Sequence, residues 1–171
     1  ANMIWADARE VLQKYEFEEK FDLIFLDAFS PSVCPTLWTD EFIKKLSQLL
    51  KSNGRIITFC RAAAIRKSLK NAGLQIFSLP VEPPDRHAWS NGTIAIASSS
   101  PKEEMTGSLR WNELSRMEKE HLETKASIPY RDPTGKRNIT EINDLRKIEQ
   151  SLSGLESTTA WRKRWGQAQS S

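Results

Sequence analysis

The chain has 171 residues, 39% of them apolar and 27% charged, with a formal net charge of +3. That balance suits one soluble domain with a modest tail. It excludes a helical membrane span, because no apolar run approaches the roughly 18 residues needed to cross a bilayer.

No signal-peptide pattern opens the chain, and a cytoplasmic protein with reduced thiols is expected. Position 1 is Ala rather than Met and the chain begins in what reads as mid-strand, so a fragment of a longer protein is expected. Cys34 and Cys60 lack a ligand-type spacing, and His87 and His121 stand far apart. A metal site is therefore not expected.

Asn2 to Ala6 reads as the end of a strand. Asp7 then starts a helix through Leu12, with the acid at the end the helix dipole favours. The continuous apolar run Leu23–Leu26 predicts a fully buried strand. Thr39 caps a helix that carries Phe42, Ile43, Leu46, Leu49 and Leu50 at helical spacing, with Glu41 in its first turn. Asn53 and Gly54 are expected to end that helix as a left-handed cap. Arg55–Cys60 is the next strand, Ala62–Asn71 a helix closed by Gly73, Leu74–Leu79 a strand, and Thr93–Ala97 another. The alternation predicts a mostly parallel sheet with helices on its faces. The last two strands have no helix between them and can pair as an antiparallel hairpin at one edge.

Beyond Ser98 the character changes. Ser98–Pro101 reads as a linker and 109–125 as a polar helix. Ile128–Pro133 is extended, because each proline restricts the residue before it. A short helix is expected over 139–152. The chain ends near Trp161, Arg162, Lys163, Arg164 and Trp165, which either grip RNA with cations and ring faces or dock two rings onto the domain.

Between Glu41 and Glu82 there is no acid, while Lys44, Lys45, Lys51, Arg55, Arg61, Arg66, Lys67 and Lys70 fall in that stretch. Such a block is either a solvated basic face or a surface for a polyanion such as RNA.

The most informative run is Asp22 to Pro31. Four apolar residues end in the lone carboxylate of Asp27, and a stiff aromatic and proline loop follows. Ligands of open α/β sheets bind just past the carboxyl ends of the strands, so Asp27 is aimed at a ligand crevice. There it can accept a proton, hydrogen-bond an amine or bind a cation, or else only cap the next turn. Receiver domains also end a strand in such an Asp. They need a Lys at the end of a later strand, where this chain has Ser78, Leu79 and Pro80.

Asp27-Ala-Phe29-Ser-Pro31, then Pro35 with Trp38 and Thr39, then Asn53-Gly54 with Thr58-Phe59, then Ala63 to Gly73, resemble the MnmC-like methyltransferase domain. That family includes the tRNA 5-methylaminomethyl-2-thiouridine methyltransferases. The resemblance runs from about Asn2 to Ser98. In the tail, Glu118 to Thr124, Ile128–Pro133 and Trp161–Trp165 are similar to the C-terminal extension of stand-alone, cyanobacterial-type members.

The resemblance implies an α/β fold, the class I S-adenosylmethionine methyltransferase (Rossmann-like) sheet with strand order 3-2-1-4-5-7-6. Strands 3–7 alone would be present, over 1–98, with a helical and extended C-terminal extension over 99–171. It implies methyl transfer to the aminomethyl nitrogen of a modified wobble uridine, with tRNA as partner. Asp7, with Ala8 beside it, resembles the acid that hydrogen-bonds the adenine amino group. Asp27 resembles the carboxylate beside the methyl-transfer centre, serving both catalysis and cofactor. Phe29, Pro31 and Trp38 belong to the substrate-side loop. Arg61 opens the next helix on the crevice side and is a candidate phosphate contact.

The chain departs from the family pattern in one respect. It has seven glycines, none in a G-x-G cluster, so the Gly-rich cofactor loop and the ribose-binding acid are not represented. The fragment alone is expected to be nearly inactive, with Leu23–Leu26 left as an apolar sheet edge. No dinucleotide fingerprint suggests an FAD-binding domain. The alternative is a non-catalytic RNA- or partner-binding module.

Overall fold

The computed structural model describes residues 3–14, 20–81, 90–97 and 110–166. Asn2, His87 and the expected linker Ser98–Pro101 lie outside these residues. Helix α1 (Ala8–Lys14) starts where Asp7 accepts the backbone N–H of Arg9 at 2.8 Å. Thr39 caps α2 (Asp40–Gln48) by accepting the N–H of Phe42, and α3 (Ala63–Asn71) closes at Gly73, whose φ of 84° suits a residue without a Cβ.

Among the described residues, four strands form one sheet: β1 (Phe21–Phe25), β2 (Leu50–Thr58), β3 (Gln75–Leu79) and β4 (Gly92–Ile96), in the order β1-β2-β4-β3. β1 and β2 are parallel, and β4 is antiparallel to both β2 and β3. In the numbering of the expected sheet this is the run 4-5-7-6, with the last two strands paired as a hairpin. Gly92 permits the close approach of β4 to β2, since a Cβ there would lie 2.3 Å from the Thr58 carbonyl oxygen.

Three local expectations are corrected. Met3–Ala6 form no strand, and Met3, Ile4 and Trp5 are 77%, 50% and 90% exposed. A strand exists only through ladder hydrogen bonds, and no described strand lies beyond β1 to supply them. Asn53 and Gly54 do not cap a helix: α2 ends at Gln48, and both residues lie within β2, where the register against β1 is irregular between Phe21 and Leu23. The Leu23–Leu26 strand is not fully buried. Ile24 and Leu26 face the core, whereas Leu23 and Phe25 point to the opposite face, where they are 40% and 72% exposed.

The main core lies on one face of the sheet. Ile56 and Ala95 pack there against Phe42, Ile43 and Leu46 of α2 and Ile65 and Leu69 of α3. The tail closes this layer. Its helices are α4 (Arg116–His121), α5 (Ile139–Leu152) and α6 (Thr158–Arg164), and Ile142 and Tyr130 enter the same core. The expected polar helix over 109–125 shrinks to α4 because Ser115 and Glu118 build a capping box that sets its start. Trp161 is buried and stacks on His121 at 4.2 Å between ring centres, and Trp165 donates Nε1–H to Glu120 at 2.9 Å. Both rings of the terminal basic run therefore dock onto α4.

Candidate active site

The site is built at the carboxyl ends of β1 and β2. Leu26 donates to the Ile57 carbonyl at 2.9 Å, which carries the pairing one residue past β1 and delivers Asp27 at the sheet rim. Asp27 is exposed, and among the described residues no hydrogen bond or ion pair engages its carboxylate. The loop beyond it is tied down. Val33 and Cys34 both donate to the Ser30 carbonyl, and Pro35 starts a short 3-10 turn over Pro35–Leu37.

Trp38 ends this loop at 1% exposure. Its indole N–H donates to the Phe29 carbonyl at 2.7 Å, while the Phe29 ring stands 79% exposed. The expectation that Trp38 itself lines the substrate site is corrected. Its ring is spent on the core, and its polar edge holds the backbone that presents Phe29. Pro31 is half-buried in the same loop.

Asp7 lies on the adjoining element, since α1 packs against the Pro35–Leu37 turn. Ala8 packs against the core below it. The Arg9 guanidinium donates to Asp7 at 3.0 Å and holds its carboxyl below the usual range, so Asp7 is a fixed anion with its side chain 39% exposed.

The third wall is the end of β2. The Thr58 hydroxyl accepts the Cys60 N–H, the Thr93 hydroxyl donates to the Cys60 carbonyl, and Arg61 donates to the Ser90 carbonyl at 3.0 Å. Arg61 thus lies at the rim, anchored there by this bond. Arg66, from the acid-free stretch, is not a surface cation. It is 1% exposed and pairs with Glu118 at 2.8 Å, because α3 turns that side toward the tail.

Tyr130, Arg131 and Asp132 brace the site, a role that Ile128–Pro133 did not reveal as a sequence. Asp40 donates its N–H to the Tyr130 carbonyl, Asp132 donates its N–H to Glu41 at 2.8 Å, and the Asp132 carboxylate pairs with Arg9 at 3.1 Å. One stretch of tail so joins the α1 start, which holds Asp7, to the α2 start, which follows Trp38. The one available signal was Asp132 before Pro133 and Gly135, a turn-forming combination.

Residues 1–89 match the family described as S-adenosyl-L-methionine-dependent methyltransferase. The chain belongs to that family. This methyltransferase domain is 34% identical over 79 residues to the tRNA 5-methylaminomethyl-2-thiouridine biosynthesis bifunctional protein MnmC of Campylobacter hominis, covering 46% of this chain and 12% of that protein. Against the MnmC protein of Chromobacterium violaceum it is 33% identical over 89 residues, covering 52% and 13%. The crystal structure of MNMC2 from Aquifex aeolicus aligns with a TM-score of 0.71 at 24% identity, over 85% of this chain and 43% of that one. That likeness bears out the partial Rossmann-like fold. The methyltransferase domain is of MnmC type, and the match spans about an eighth of the length of these two MnmC proteins.

The described residues fit one side of S-adenosylmethionine. Asp7 is an ionised, partly exposed acceptor suited to an adenine amino group, and Asp27 is a second, exposed acceptor at the end of β1. No described glycine sits at this rim in a turn that would cradle the methionine part of the cofactor: those with positive φ are Gly73, Gly135, Gly154 and Gly166.

Proposed function

We propose that this chain is the substrate-side portion of an S-adenosylmethionine-dependent tRNA methyltransferase that methylates the aminomethyl nitrogen of a modified wobble uridine. The observation that supports this reading is the pairing of a carboxylate that no other described residue engages, Asp27, with an exposed ring, Phe29, on a loop pinned by Trp38. On this reading residues 1–98 are the methyltransferase part and 99–171 an extension, of which 110–166 packs back on it.

When bound, the cofactor supplies an electrophilic methyl group on a sulfonium. The chain's own residues prepare the nucleophile. An aminomethyl nitrogen is largely protonated in water, so its lone pair must be freed and aimed. Asp27 accepts a hydrogen bond from the amine, orients the nitrogen and offsets the positive charge that develops as it attacks. Phe29 offers a stacking face for a splayed-out base, and Arg61 is the candidate contact for a backbone phosphate. Asp7 accepts the adenine amino hydrogen bond.

Asp27→Asn in the full-length protein tests the reading, with labelled S-adenosylmethionine and tRNA bearing 5-aminomethyl-2-thiouridine. The expected result is a fall in kcat of about a hundredfold or more with tRNA affinity little changed; wild-type turnover would overturn the role given to Asp27. The 171-residue chain alone should show no tight S-adenosylmethionine binding by calorimetry, and tight binding would overturn the view that part of the cofactor site lies elsewhere.

A further inference from the structure

The tail reaches the cofactor side through one buried carboxylate. The Asp132 side chain is 1% exposed. Its Oδ1 accepts the N–H groups of Lys136 and Arg137, each at 3.1 Å, and the Thr134 hydroxyl at 3.2 Å. Its Oδ2 accepts Nη1 of Arg9 at 3.1 Å. The same Nη1 donates to the Arg137 carbonyl at 3.0 Å, so the tail loop holds it from two sides. The other edge of the guanidinium faces Asp7, with Nη2 at 3.0 Å and Nε at 3.3 Å from Oδ2.

A guanidinium is a rigid planar fork. Clamping Nη1 on the tail fixes the plane, and the Nε/Nη2 edge can then meet Asp7 in one orientation. Packing upstream of α1 does not impose that geometry, because the chain before it is exposed from Met3 to Trp5. An ionised carboxylate accepts about four hydrogen bonds. The Arg9 backbone N–H reaches Oδ1 and Nη2 reaches Oδ2, while Nε is shared between the two oxygens at 3.4 and 3.3 Å; these three donors leave a direction on the 39% exposed carboxylate for a ligand donor.

We infer that Arg9 and Asp132 are positioning residues for cofactor recognition: Asp132 on the tail fixes Arg9, and Arg9 fixes the Asp7 carboxylate so that its remaining acceptor direction selects an exocyclic amine. The inference rests on the reading of Asp7 as the acceptor for the adenine amino group. The lowered pKa of Asp7, caused first by the Arg9 side-chain hydrogen bond, agrees with it, because the carboxylate stays an acceptor and cannot serve a carbonyl oxygen. The tail thereby becomes part of the cofactor site without touching the cofactor.

Calorimetry on the full-length protein tests this with S-adenosylhomocysteine and its deaminated analogue S-inosylhomocysteine, which presents a carbonyl where adenine has its amine. The wild type should prefer the adenine form by about tenfold or more. Asp132→Asn keeps the Oδ1 acceptor for the loop and removes the charge facing Arg9, while Arg9→Met cuts the link and leaves the 132–137 loop its own hydrogen bonds. Either should bring the preference several-fold toward parity, and Asp7→Asn should abolish it. Should Asp132→Asn fail to fold, Arg9→Met carries the test. Equal weakening of both ligands, with the preference intact, would mark a purely structural role and overturn the inference. Loss of preference in Asp7→Asn but in neither other variant would overturn it and leave the Asp7 reading standing. An unchanged preference in Asp7→Asn would sink that reading itself.

Discussion

Nη1 of Arg66 lies 2.8 Å from Oε1 of Glu118, and their side chains are 2% and 4% exposed. Arg66 belongs to α3 on the sheet, and Glu118 to α4 in the tail. The remaining guanidinium donors reach the Thr93 and Ser90 hydroxyls and the Gly92 carbonyl. The carboxylate also accepts the Ser78 hydroxyl and the Ser115 N–H. Burial pushes the Glu118 carboxyl up, but the hydrogen bonds from Ser115 and Arg66 outweigh it and hold the group below its ordinary value. The pair locks the tail to the rim of the sheet at the start of β4.

Glu118→Gln should therefore cost far more than a surface change, because it leaves a buried guanidinium without its counter-charge. A loss of about 3–5 kcal/mol is expected, read from chemical denaturation midpoints. The double variant Arg66→Met/Glu118→Leu should recover much of it, since well-packed apolar replacements of a buried pair are often near neutral.

Stability should fall as pH drops through the window between 6.5 and about 4. Burial, aided by the Arg66 and Arg162 charges, pushes the His121 imidazole down to about 4 from 6.5. Across that window the unfolded chain binds the proton and the folded one does not, so acid favours unfolding by up to about 3 kcal/mol, and the effect levels off below the folded value. Glu118, whose folded pKa is lowered, contributes stability above its ordinary value of 4.5 that is lost as pH falls through the folded one. Denaturant midpoints against pH for the wild type and His121→Phe, which keeps the stack on Trp161, should differ in slope within the histidine window.

Phe29→Ala should leave stability within about 0.5 kcal/mol, because the ring is exposed, yet weaken tRNA binding by about tenfold, the value of one stacked base. Trp38→Phe should do the reverse to the scaffold. It loses the bond to the Phe29 carbonyl, costs about 1–3 kcal/mol and speeds amide exchange over residues 29–34. Denaturation and mass-resolved hydrogen exchange separate the two.

Self-association of the 171-residue chain through β1 is expected at micromolar concentration. β1 has one described neighbour, and Leu23 and Phe25 lie on its uncovered face. Sedimentation should show the dispersed form favoured by Leu23→Lys, a charged gatekeeper on that strand.

Elements whose signals are local were legible. The Thr39 cap, the Gly73 stop and the helix over 139–152 each follow from hydrogen bonds or φ values within a few residues. The position of Asp27 and Phe29 just past the end of β1 was legible as well, because a strand followed by a proline loop ends at the sheet rim. Trp38 was misplaced because sequence shows an aromatic beside a site but not which way its ring turns. Arg66 was misread as a surface cation because its partner lies 52 positions away.

The sequence by itself determined the α/β order, the hairpin of the last two strands and the family, since periodicity, turn residues and motif spacing are written along the chain. Tertiary structure alone decided that the tail packs against the start of α1 beside Asp7. Asp132 reaches Arg9 across 123 positions, and burial turns that pairing into a fixed geometry for Asp7. Contacts of that separation depend on which surfaces the packed core brings together, and no local pattern encodes them.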